Sequence, residues 1–521
     1  MELYLFVYLS LVALPFMSLT FLLIFCEVSH KHWKRNGVFS LKPTLLFGNA
    51  KDIVLQKEGM GMSMKHFYDN LKRNGLSFGG YYFLMRPLLV LSDLDLIKRV
   101  LITDFSHFVD HPFYINEEND PLSANLYALQ GDRWKNRRSK IGAAFTAGKL
   151  KLMFETVVAT CQELIDVIDE KAGRNGAIDI NDIIADLGVD IIGSCAFGLE
   201  CNSFKKPNNK FKYYGLQYLH AQSMWGAFVF LLLFTFPAIF KIIKPNIHNK
   251  EMTEFFVRLV KDVAKHREEN NIIRNDFMHS VLQIKNNAEI SESSFGSVNS
   301  SNGTQNKEEG ISITEIAAHC FAFFVAGYEP FSTATSFCLY ELSLKTELQG
   351  MVRQEVKTVL QANEGKLTYG AVMDMKLLDK CVNETFRKYP SATSHIRLCT
   401  ETYKVPNSNF SIAKGTTVFI PVYGVHMDPE YYPNPEVFDP ERFSEENLSK
   451  RPAESYMPFG LGPRKCPAYQ FGLLEIKAAL VTLLQRYRFS LHPSTKVPIT
   501  MNPKNAVMHP SSTIYLCAER N

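Results

Sequence analysis

Apolar positions recur along most of this chain with the spacing of an α-helix, and polar stretches separate the apolar segments. This pattern predicts helices at Asp132–Ala144, Gly148–Lys171, Ile180–Phe197, Glu251–Asn270, Asp276–Asn287, Ile313–Leu344, Glu347–Ala362 and Met375–Lys388. Runs of β-branched and aromatic residues predict strands at Phe78–Met85, Pro87–Leu91, Arg397–Tyr403, Thr416–Pro421 and Ile514–Ala518. The expected fold class is mainly α with a small β region.

The first apolar run, Leu3–Cys26, contains no charged residue. As a helix it would be about 36 Å long at 1.5 Å per residue, which is enough to cross a bilayer. The basic sequence KHWKR follows at residues 31–35, and positive flanking residues stay on the cytosolic side. We therefore expect a transmembrane anchor over residues 1–28, a basic and proline-containing hinge over 29–45 and one large cytosolic domain over 46–521. A cleaved signal peptide is the alternative, but the run is long and lacks a small-residue cleavage site.

Two other segments depart from the general pattern. Trp225–Phe240 is strongly apolar, but it is short for a membrane span and contains Pro237. It is either a buried core helix or a segment that dips into a membrane surface. Ser291–Gly310 is polar and rich in small residues, which predicts a disordered surface loop.

The amino-acid composition indicates which classes of protein this chain can belong to. The 521 residues are 46% hydrophobic and include 39 phenylalanines, which is enough for a large core. Lysine and arginine number 57 against 53 acidic residues, and the net charge of +4 does not favour a nucleic-acid partner. The ten cysteines show no metal-type or disulfide spacing, which is typical of a reducing compartment.

Candidate chemistry is concentrated in Pro458–Gly472, PFGLGPRKCPAYQFG. Its glycines and Pro463 predict a tight loop, and Pro467 predicts the first turn of a helix. Cys466 would then cap that helix, where free N–H groups and the helix dipole favour a thiolate. A thiolate in such a position is a good axial ligand for haem iron. The alternative for a lone cysteine is a small buried side chain without chemistry.

The pattern Phe459-x-x-Gly462-x-Arg464-x-Cys466 resembles the haem-binding loop of the cytochrome P450 family. The resemblance implies the family's fold, haem b as cofactor and Cys466 as the ligand of the iron. It also implies that Phe459 and Arg464 contact the cofactor. The family usually has glycine where this chain has Ala468.

Trp134 and Arg138 lie four residues apart and share one face of a predicted helix. In the resembled family both contact the haem propionates, as does an arginine at the position of Arg397. The surrounding run, Gly131–Phe154, resembles the insect microsomal branch of the family. Its basic side chains predict either a solvated face or, by the resemblance, a docking surface for an acidic reductase. These side chains are Lys135, Arg137, Lys140, Lys149 and Lys151.

Glu384 and Arg387 have the spacing of an ordinary helical ion pair. They also resemble the family's ExxR motif, whose two residues pair with a second arginine. Here that partner is Arg442, within the segment His426–Phe443 that is similar to the family pattern almost throughout. The resemblance implies a buried structural triad, in which loss of one partner costs about 3–5 kcal/mol.

The sequence AGYE within the longest predicted helix resembles the family's oxygen-binding groove. By that resemblance Gly327 lets the helix approach the iron and Glu329 relays protons. Close helix packing is the alternative for the Ala-Gly pair alone. The family usually has threonine where this chain has Pro330, which has no hydroxyl. Either Ser332, Thr333, the substrate or a water replaces that hydroxyl, or the enzyme leaks hydrogen peroxide.

The resemblance runs from about Lys34 to Leu516 and implies a monooxygenase anchored in the endoplasmic reticulum membrane, facing the cytosol. The implied reaction inserts one atom of dioxygen into a lipophilic substrate, either xenobiotic or endogenous. Electrons come from NADPH through a cytochrome reductase, with cytochrome b5 as a second candidate donor. By the same analogy, the side chains expected to make the pocket apolar are Phe113, Tyr114, Phe323, Phe324 and Tyr328.

Two alternatives stay open because of Pro330. The first is a reductase-independent hydroperoxide isomerase or dehydratase. The second is a membrane haem protein that binds ligands without catalysis.

Overall fold

The computed structural model describes residue 17 and residues 20–206, 209–220, 240, 242–294, 310–505 and 507–520. Most of the predicted anchor, most of Ser291–Gly310 and all of Trp225–Phe240 except Phe240 lie outside the described residues. Residues 20–29 are helical. Within the described part of the chain, no helix combines the length and the hydropathy that a membrane crossing needs.

Helices form most of the described structure. They are α1 (His32–Arg35), α2 (Lys51–Val54), α3 (Met60–Arg73), α4 (Leu94–Lys98), α5 (Gly131–Gly142), α6 (Ala147–Cys161), α7 (Glu163–Asn175), α8 (Ile180–Ile192), α9 (Lys210–His220), α10 (Lys250–Glu269), α11 (Phe277–Ser294), α12 (Ile313–Leu344), α13 (Thr346–Ala362), α14 (Tyr369–Asp374), α15 (Lys376–Lys388), α16 (Val422–His426), α17 (Glu445–Ser449) and α18 (Tyr469–Arg486). Short 3₁₀ turns lie at Phe105–His107, Pro121–Ser123, Ala143–Phe145, Pro440–Phe443, Ala453–Ser455 and Gly462–Arg464, and π turns lie at Arg99–Thr103 and Gly193–Phe197.

Strands are few and short. They are β1 (Phe78–Phe83), β2 (Arg86–Leu91), β3 (Ile178–Asp179), β4 (His395–Leu398), β5 (Tyr403–Lys404), β6 (Ser411–Ile412), β7 (Thr417–Ile420), β8 (Tyr487–Leu491) and β9 (Tyr515–Arg520). In the described residues they form sheets of order β1-β2-β7-β4, β3-β9-β8 and β5-β6. In the antiparallel β4–β7 pair, His395 lies opposite Ile420 and Arg397 opposite Val418. His395 and Arg397 therefore project from the same face of β4.

The long helix α12 is the centre of the helical body. Ser312 caps its start, because the Ser312 hydroxyl accepts the Glu315 N–H at 3.1 Å. Most side chains along it are buried, as expected for a helix that is apolar on all sides. It packs closely on α8, where a Cβ on Gly188 would lie 3.0 Å from the ring of Phe331. Most of the side chains that α12 carries therefore lie inside the protein.

The expectation of a mainly helical fold with a small β region is confirmed. Several boundaries differ. The segment predicted as one helix over Gly148–Lys171 is two helices that meet at Gln162, and α8 ends in a π turn at Gly193–Phe197. The predicted loop Ser291–Gly310 is wrong at its start, because α11 continues to Ser294. The predicted strand Arg397–Tyr403 is divided between β4 and β5.

The stretch 29–45, predicted as a hinge, packs onto the first sheet. The backbone N–H of Trp33 donates to the Tyr82 hydroxyl at 2.9 Å, and its indole N–H donates to the Tyr81 carbonyl at 3.3 Å. Trp33 is 1% exposed, and a Cβ on Gly80 would collide with its ring. Trp33 therefore fixes this stretch against β1. The domain boundaries stay a prediction.

Glu384, Arg387 and Arg442 come together in the core. The Glu384 carboxylate accepts from Arg387 Nε at 2.7 Å and from its Nη2 at 2.8 Å, and both side chains are fully buried. Arg442 Nε lies 3.4 Å from the same carboxylate. The remaining Arg387 donors reach the carbonyls of Pro435 at 2.7 Å and His426 at 3.0 Å. This contact ties α15 to the segment that precedes the cysteine loop.

We expect Glu384→Ala to destabilise the fold by about 3–5 kcal/mol, because Arg387 would keep its charge in the core without a carboxylate. Urea denaturation followed by circular dichroism measures the change. Glu446→Ala is the matched control, because it removes the exposed pair with Lys450 and should cost less than about 1 kcal/mol. Equal shifts for the two variants would contradict the structural role of the triad.

Candidate functional site

The loop before α18 ends at Cys466 and is closed by its own backbone. The Cys466 N–H donates to the Phe459 carbonyl at 2.8 Å, and the Lys465 N–H donates to the Gly462 carbonyl at 3.0 Å. Gly462 has a φ of +69°, and a Cβ there would collide with the Leu101 carbonyl. A side chain does not fit at this point, so glycine sets how closely the loop approaches its neighbour.

The prediction that the helix begins at Pro467 is wrong. Pro467 and Ala468 form a turn, and α18 begins at Tyr469. Ala468 has φ −100° and ψ 17°, which is outside the helical region. Cys466 therefore does not cap the helix. The turn instead brings the Ala468 N–H to the Cys466 sulfur.

Opposing effects act on the thiol of Cys466. Burial is the largest effect and raises its pKa, and the Ala468 N–H and the charges of Arg138 and Lys465 offset only part of that rise. Eight of the ten cysteines are buried, while Cys466 and Cys517 are partly exposed. Of these two, Cys466 is the one whose sulfur accepts a backbone N–H and lies near the positive charges of Arg138 and Lys465.

Arginines surround this loop. The guanidinium of Arg464 lies 3.9 Å from the centre of the Trp134 ring and donates to the carbonyls of Val109 at 2.9 Å and Leu129 at 2.8 Å. Arg138 donates to the Lys465 carbonyl at 2.7 Å. The structure therefore brings Trp134, Arg138 and Arg464 to the Cys466 loop. The expected partners of these arginines were anionic, but the partners in the chain are mostly backbone carbonyls.

Arg397 joins this cluster with its charge poorly compensated. It is 2% exposed, and its Nε has no hydrogen-bond partner among the described residues. Burial lowers its pKa to about 10. Burial, and then repulsion from Arg397, lowers the pKa of Arg464 to about 9, although Asp110 lies 3.5 Å from Arg464. Buried guanidinium groups without carboxylates are costly, so this donor set fits a bound dicarboxylate. Haem b, with its propionates, is such a ligand.

His111 contacts the guanidinium of Arg397, and the sequence analysis does not predict this contact. Arg397 Nη1 lies 2.6 Å from His111 Nε2, and His111 Nδ1 lies 2.8 Å from the Tyr127 carbonyl. Because arginine only donates, Nε2 accepts and Nδ1 carries the proton. Burial, and then the charges of Arg397 and Arg464, lowers the pKa of His111 well below its ordinary value. A lone histidine outside any motif gave no signal of this contact.

One face in the middle of α12 is partly accessible, although most of the helix is buried. Its residues recur at the i, i+3, i+4, i+7 and i+8 spacing of a single helical face and are Ala322, Val325, Ala326, Glu329 and Pro330. Burial raises the pKa of Glu329 to about 7, so this carboxyl exchanges its proton near neutral pH.

Gly327 contacts the neighbouring helix. A Cβ on Gly327 would lie 2.5 Å from Cδ1 of Ile192 in α8. The missing side chain therefore allows α8 and α12 to pack closely, which is the alternative that the sequence left open for this glycine. The accessible face next to it is formed by Ala326 and Glu329.

α12 runs through Pro330 without a break in register. Proline has no N–H, so the Ala326 carbonyl lacks its usual helical donor. The Thr333 hydroxyl donates to the Glu329 carbonyl at 2.9 Å, and Ser332 is buried. The register shift through which Ser332 or Thr333 would replace the missing hydroxyl is therefore not present.

The aromatic side chains expected in one pocket are divided. Phe324 is fully buried and stacks on Tyr328, with ring centres 5.9 Å apart. Phe323 packs against Phe277 at 5.0 Å, within the core. Phe113 instead lies beside Tyr127, at 5.2 Å between ring centres, and Tyr114 packs against Phe240 at 6.3 Å.

The basic run around α5 is likewise divided. Lys135 and Lys151 are exposed. Arg137 is 3% exposed and donates to the Glu315 carboxylate at 2.7 Å. The prediction that Arg137 belongs to a basic surface is therefore wrong, because this side chain forms a buried ion pair with Glu315 at the start of α12.

Comparison with known proteins agrees with the chemistry of this site. The cytochrome P450 family model matches residues 40–518. Cytochrome P450 6A1 of Musca domestica is 36% identical over 498 residues, covering 95% of this chain and 94% of that protein. Cytochrome P450 6a2 of Drosophila melanogaster is 36% identical over 493 residues, covering 94% and 95%. Cytochrome P450 6k1 of Blattella germanica is 36% identical over 496 residues, covering 95% and 94%.

The family match covers the Cys466 loop, the arginine cluster and α12, and the insect relatives span nearly the whole chain. The chain therefore belongs to the cytochrome P450 family of haem b monooxygenases.

Proposed function

We propose that Cys466 would bind the iron of haem b and that the arginine cluster would hold the propionates. The observation that carries this assignment is the buried Arg397, whose Nε has no partner among the described residues. A propionate oxygen would satisfy that donor. Arg138 and Arg464 supply further positive charge, and the Trp134 ring holds Arg464 in place at 3.9 Å. Phe459, at the opening of the loop, contacts the cofactor.

The bound haem supplies the oxygen-activating redox chemistry. The chain's own contribution at Cys466 is to hold the sulfur in place. The hydrogen bond from the Cys466 N–H to Phe459 fixes its backbone, and the Ala468 N–H and the charges of Arg138 and Lys465 partly offset the burial that raises the pKa of the thiol. As a ligand, the sulfur of Cys466 would donate electron density to the iron of the bound haem.

Glu329 delivers protons from the accessible face of α12. Its pKa of about 7 lets it take a proton from solvent and release it at neutral pH. Gly327 assists indirectly, because close packing on Ile192 holds this part of the helix in position. Pro330 places no hydroxyl beside Glu329, so the second donor is a water or a hydroxyl of the substrate.

The substrate is a lipophilic compound, xenobiotic or endogenous, and the electrons come from NADPH through a cytochrome reductase, with cytochrome b5 as an accessory donor. Exposed Lys135 and Lys151 support an acidic redox partner.

The chain is held in the endoplasmic reticulum membrane by residues 1–28, with the catalytic domain in the cytosol. Exposed Phe21 and Ile24 on the helix at 20–29 support contact with lipid.

Reconstitution with reductase, NADPH and a panel of lipophilic compounds tests this assignment. We expect product from the unaltered enzyme, and about 100-fold less or none from Cys466→Ser, because a serine hydroxyl does not replace a thiolate ligand. Cys517→Ser is the matched control, since Cys517 is also partly exposed, and it should retain activity. Turnover of hydroperoxides without reductase, and no NADPH-dependent product, would instead favour an isomerase or dehydratase.

The pH dependence of the reaction follows from Glu329. A carboxyl with a pKa of about 7 donates a proton in its acid form, so product formation should fall as the pH rises through about 7. Glu329→Gln should lower the product-forming rate about 100-fold and abolish this dependence. Glu329→Asp, which keeps a carboxyl group, should retain a titration. A pH profile that is identical in the native enzyme and Glu329→Gln would contradict the relay.

Pro330→Thr restores both an N–H for the Ala326 carbonyl and a hydroxyl beside Glu329. We expect the variant to be more stable, by at most about 3 kcal/mol, and to release less hydrogen peroxide for each NADPH consumed. Thermal unfolding and parallel assays of peroxide, product and NADPH measure the two effects. Unchanged peroxide release would show that another donor already replaces the threonine hydroxyl.

A further inference from the structure

Met457, the residue immediately before the cysteine loop, has both of its backbone polar groups bound to histidine rings. Its N–H donates to Nε2 of His426 at 3.1 Å, and its carbonyl oxygen lies 2.8 Å from Nε2 of His395. Met457 itself is 1% exposed. One backbone unit is therefore held on both sides by side chains from α16 and β4.

The two histidines use opposite tautomers. Nε2 of His426 accepts a hydrogen bond, so its proton is on Nδ1, whereas Nε2 of His395 donates and carries its proton there. His426 is fully buried, and its Nδ1 has no partner among the described residues. Burial lowers the pKa of His395 to about 4 and that of His426 to about 3, so both rings stay neutral. Each ring can therefore play only one hydrogen-bonding role toward Met457.

These rings link the buried triad to the cysteine loop. Arg387 donates to the His426 carbonyl at 3.0 Å, and the His426 ring then accepts from Met457. The Met457 carbonyl also accepts the Gly460 N–H at 3.1 Å. On the other side, the His395 ring would lie 3.7 Å from a Cβ on Gly460. A continuous set of contacts thus leads from Arg387 through Met457 to the first turn of the loop.

We propose that His395 and His426 are positioning residues that fix the start of the Cys466 loop through Met457, and with it the sulfur. The proposal rests on the proposed role of Cys466 as the iron ligand. The loop is short, and the Phe459 carbonyl binds the Cys466 N–H at 2.8 Å, so a shift at Met457 passes to Cys466. Groups that orient a metal ligand control how well that ligand holds the metal.

The test compares Phe and Gln at each histidine in the full-length holoenzyme. Phenylalanine fills the space without hydrogen bonding, whereas the glutamine amide can donate to the Met457 carbonyl in His395→Gln and can accept from its N–H in His426→Gln. The first readout is the carbon monoxide difference spectrum of the reduced protein, in which thiolate-ligated haem gives its own band. The second is the rate of haem transfer to apomyoglobin.

We expect His395→Phe and His426→Phe to lose part of the thiolate-type band and to release haem about tenfold faster. The matching Gln variants should recover both properties. Tyr487→Phe is the control for destabilisation alone. It removes the Tyr487 hydroxyl, whose proton is shared between the Ile165 carbonyl at 3.1 Å and the Asp169 carboxylate at 2.8 Å. It should lower the unfolding midpoint and leave the thiolate band unchanged.

Two outcomes would overturn the proposal. One is a full thiolate band and normal haem transfer in both Phe variants despite a lower unfolding midpoint, which would make the histidines ordinary core residues. The other is failure of both Gln variants to recover either property. Absence of the thiolate band in the unaltered protein would instead refute Cys466 as the ligand, which separates failure of the proposed function from failure of this inference.

Discussion

Arg397 carries a positive charge in the interior, and its neighbours do little to compensate it. Its donors reach a neutral His111 ring and a backbone carbonyl, and one nitrogen has no partner among the described residues. Arg464 and Arg138 add charge of the same sign close by. Such a cluster is unfavourable in a folded chain, and a dicarboxylate relieves it. A dicarboxylate bound at this cluster would therefore also stabilise the fold, since a ligand that binds only the folded state stabilises it.

The triad at Glu384 shows the opposite arrangement. Arg387 is equally buried, but a carboxylate and backbone carbonyls occupy its donors. A guanidinium satisfied in this way has no capacity left for a ligand, so it serves the fold. Arg387 and Arg397 therefore differ in whether the described residues satisfy their buried donors, since Arg397 Nε has no partner among them.

Gly327 and Pro330 both lie inside helix α12, although each of these residue types destabilises an ordinary helix. Gly327 allows close packing on α8, and Pro330 removes a helical hydrogen bond at the point where the accessible face carries Glu329. The helix nevertheless continues unbroken through both residues, because its neighbours hold it from the buried side. The Thr333 hydroxyl is used within the helix, at 2.9 Å from the Glu329 carbonyl. On this face the chain therefore offers the carboxyl group of Glu329 and no hydroxyl at position 330.

Several features of this protein can be predicted from short stretches of its sequence. Apolar periodicity gave the main helices and the small β region, because burial of one face requires that spacing. The glycines around Cys466 predicted the loop. The structure gives the reason at Gly462, where there is no room for a side chain. Glu384 and Arg387 were recognisable because a helix brings residues three apart together.

Only the tertiary structure decided which distant groups meet. Arg137, within a basic run, is buried against Glu315, and the turn at Ala468 moved the start of α18 away from Pro467. His111 meets Arg397, and His395 and His426 meet Met457, across long separations in sequence. The sequence does not show which group a histidine will bind. Its tautomer and hydrogen bonds depend on the groups that the fold brings next to its ring.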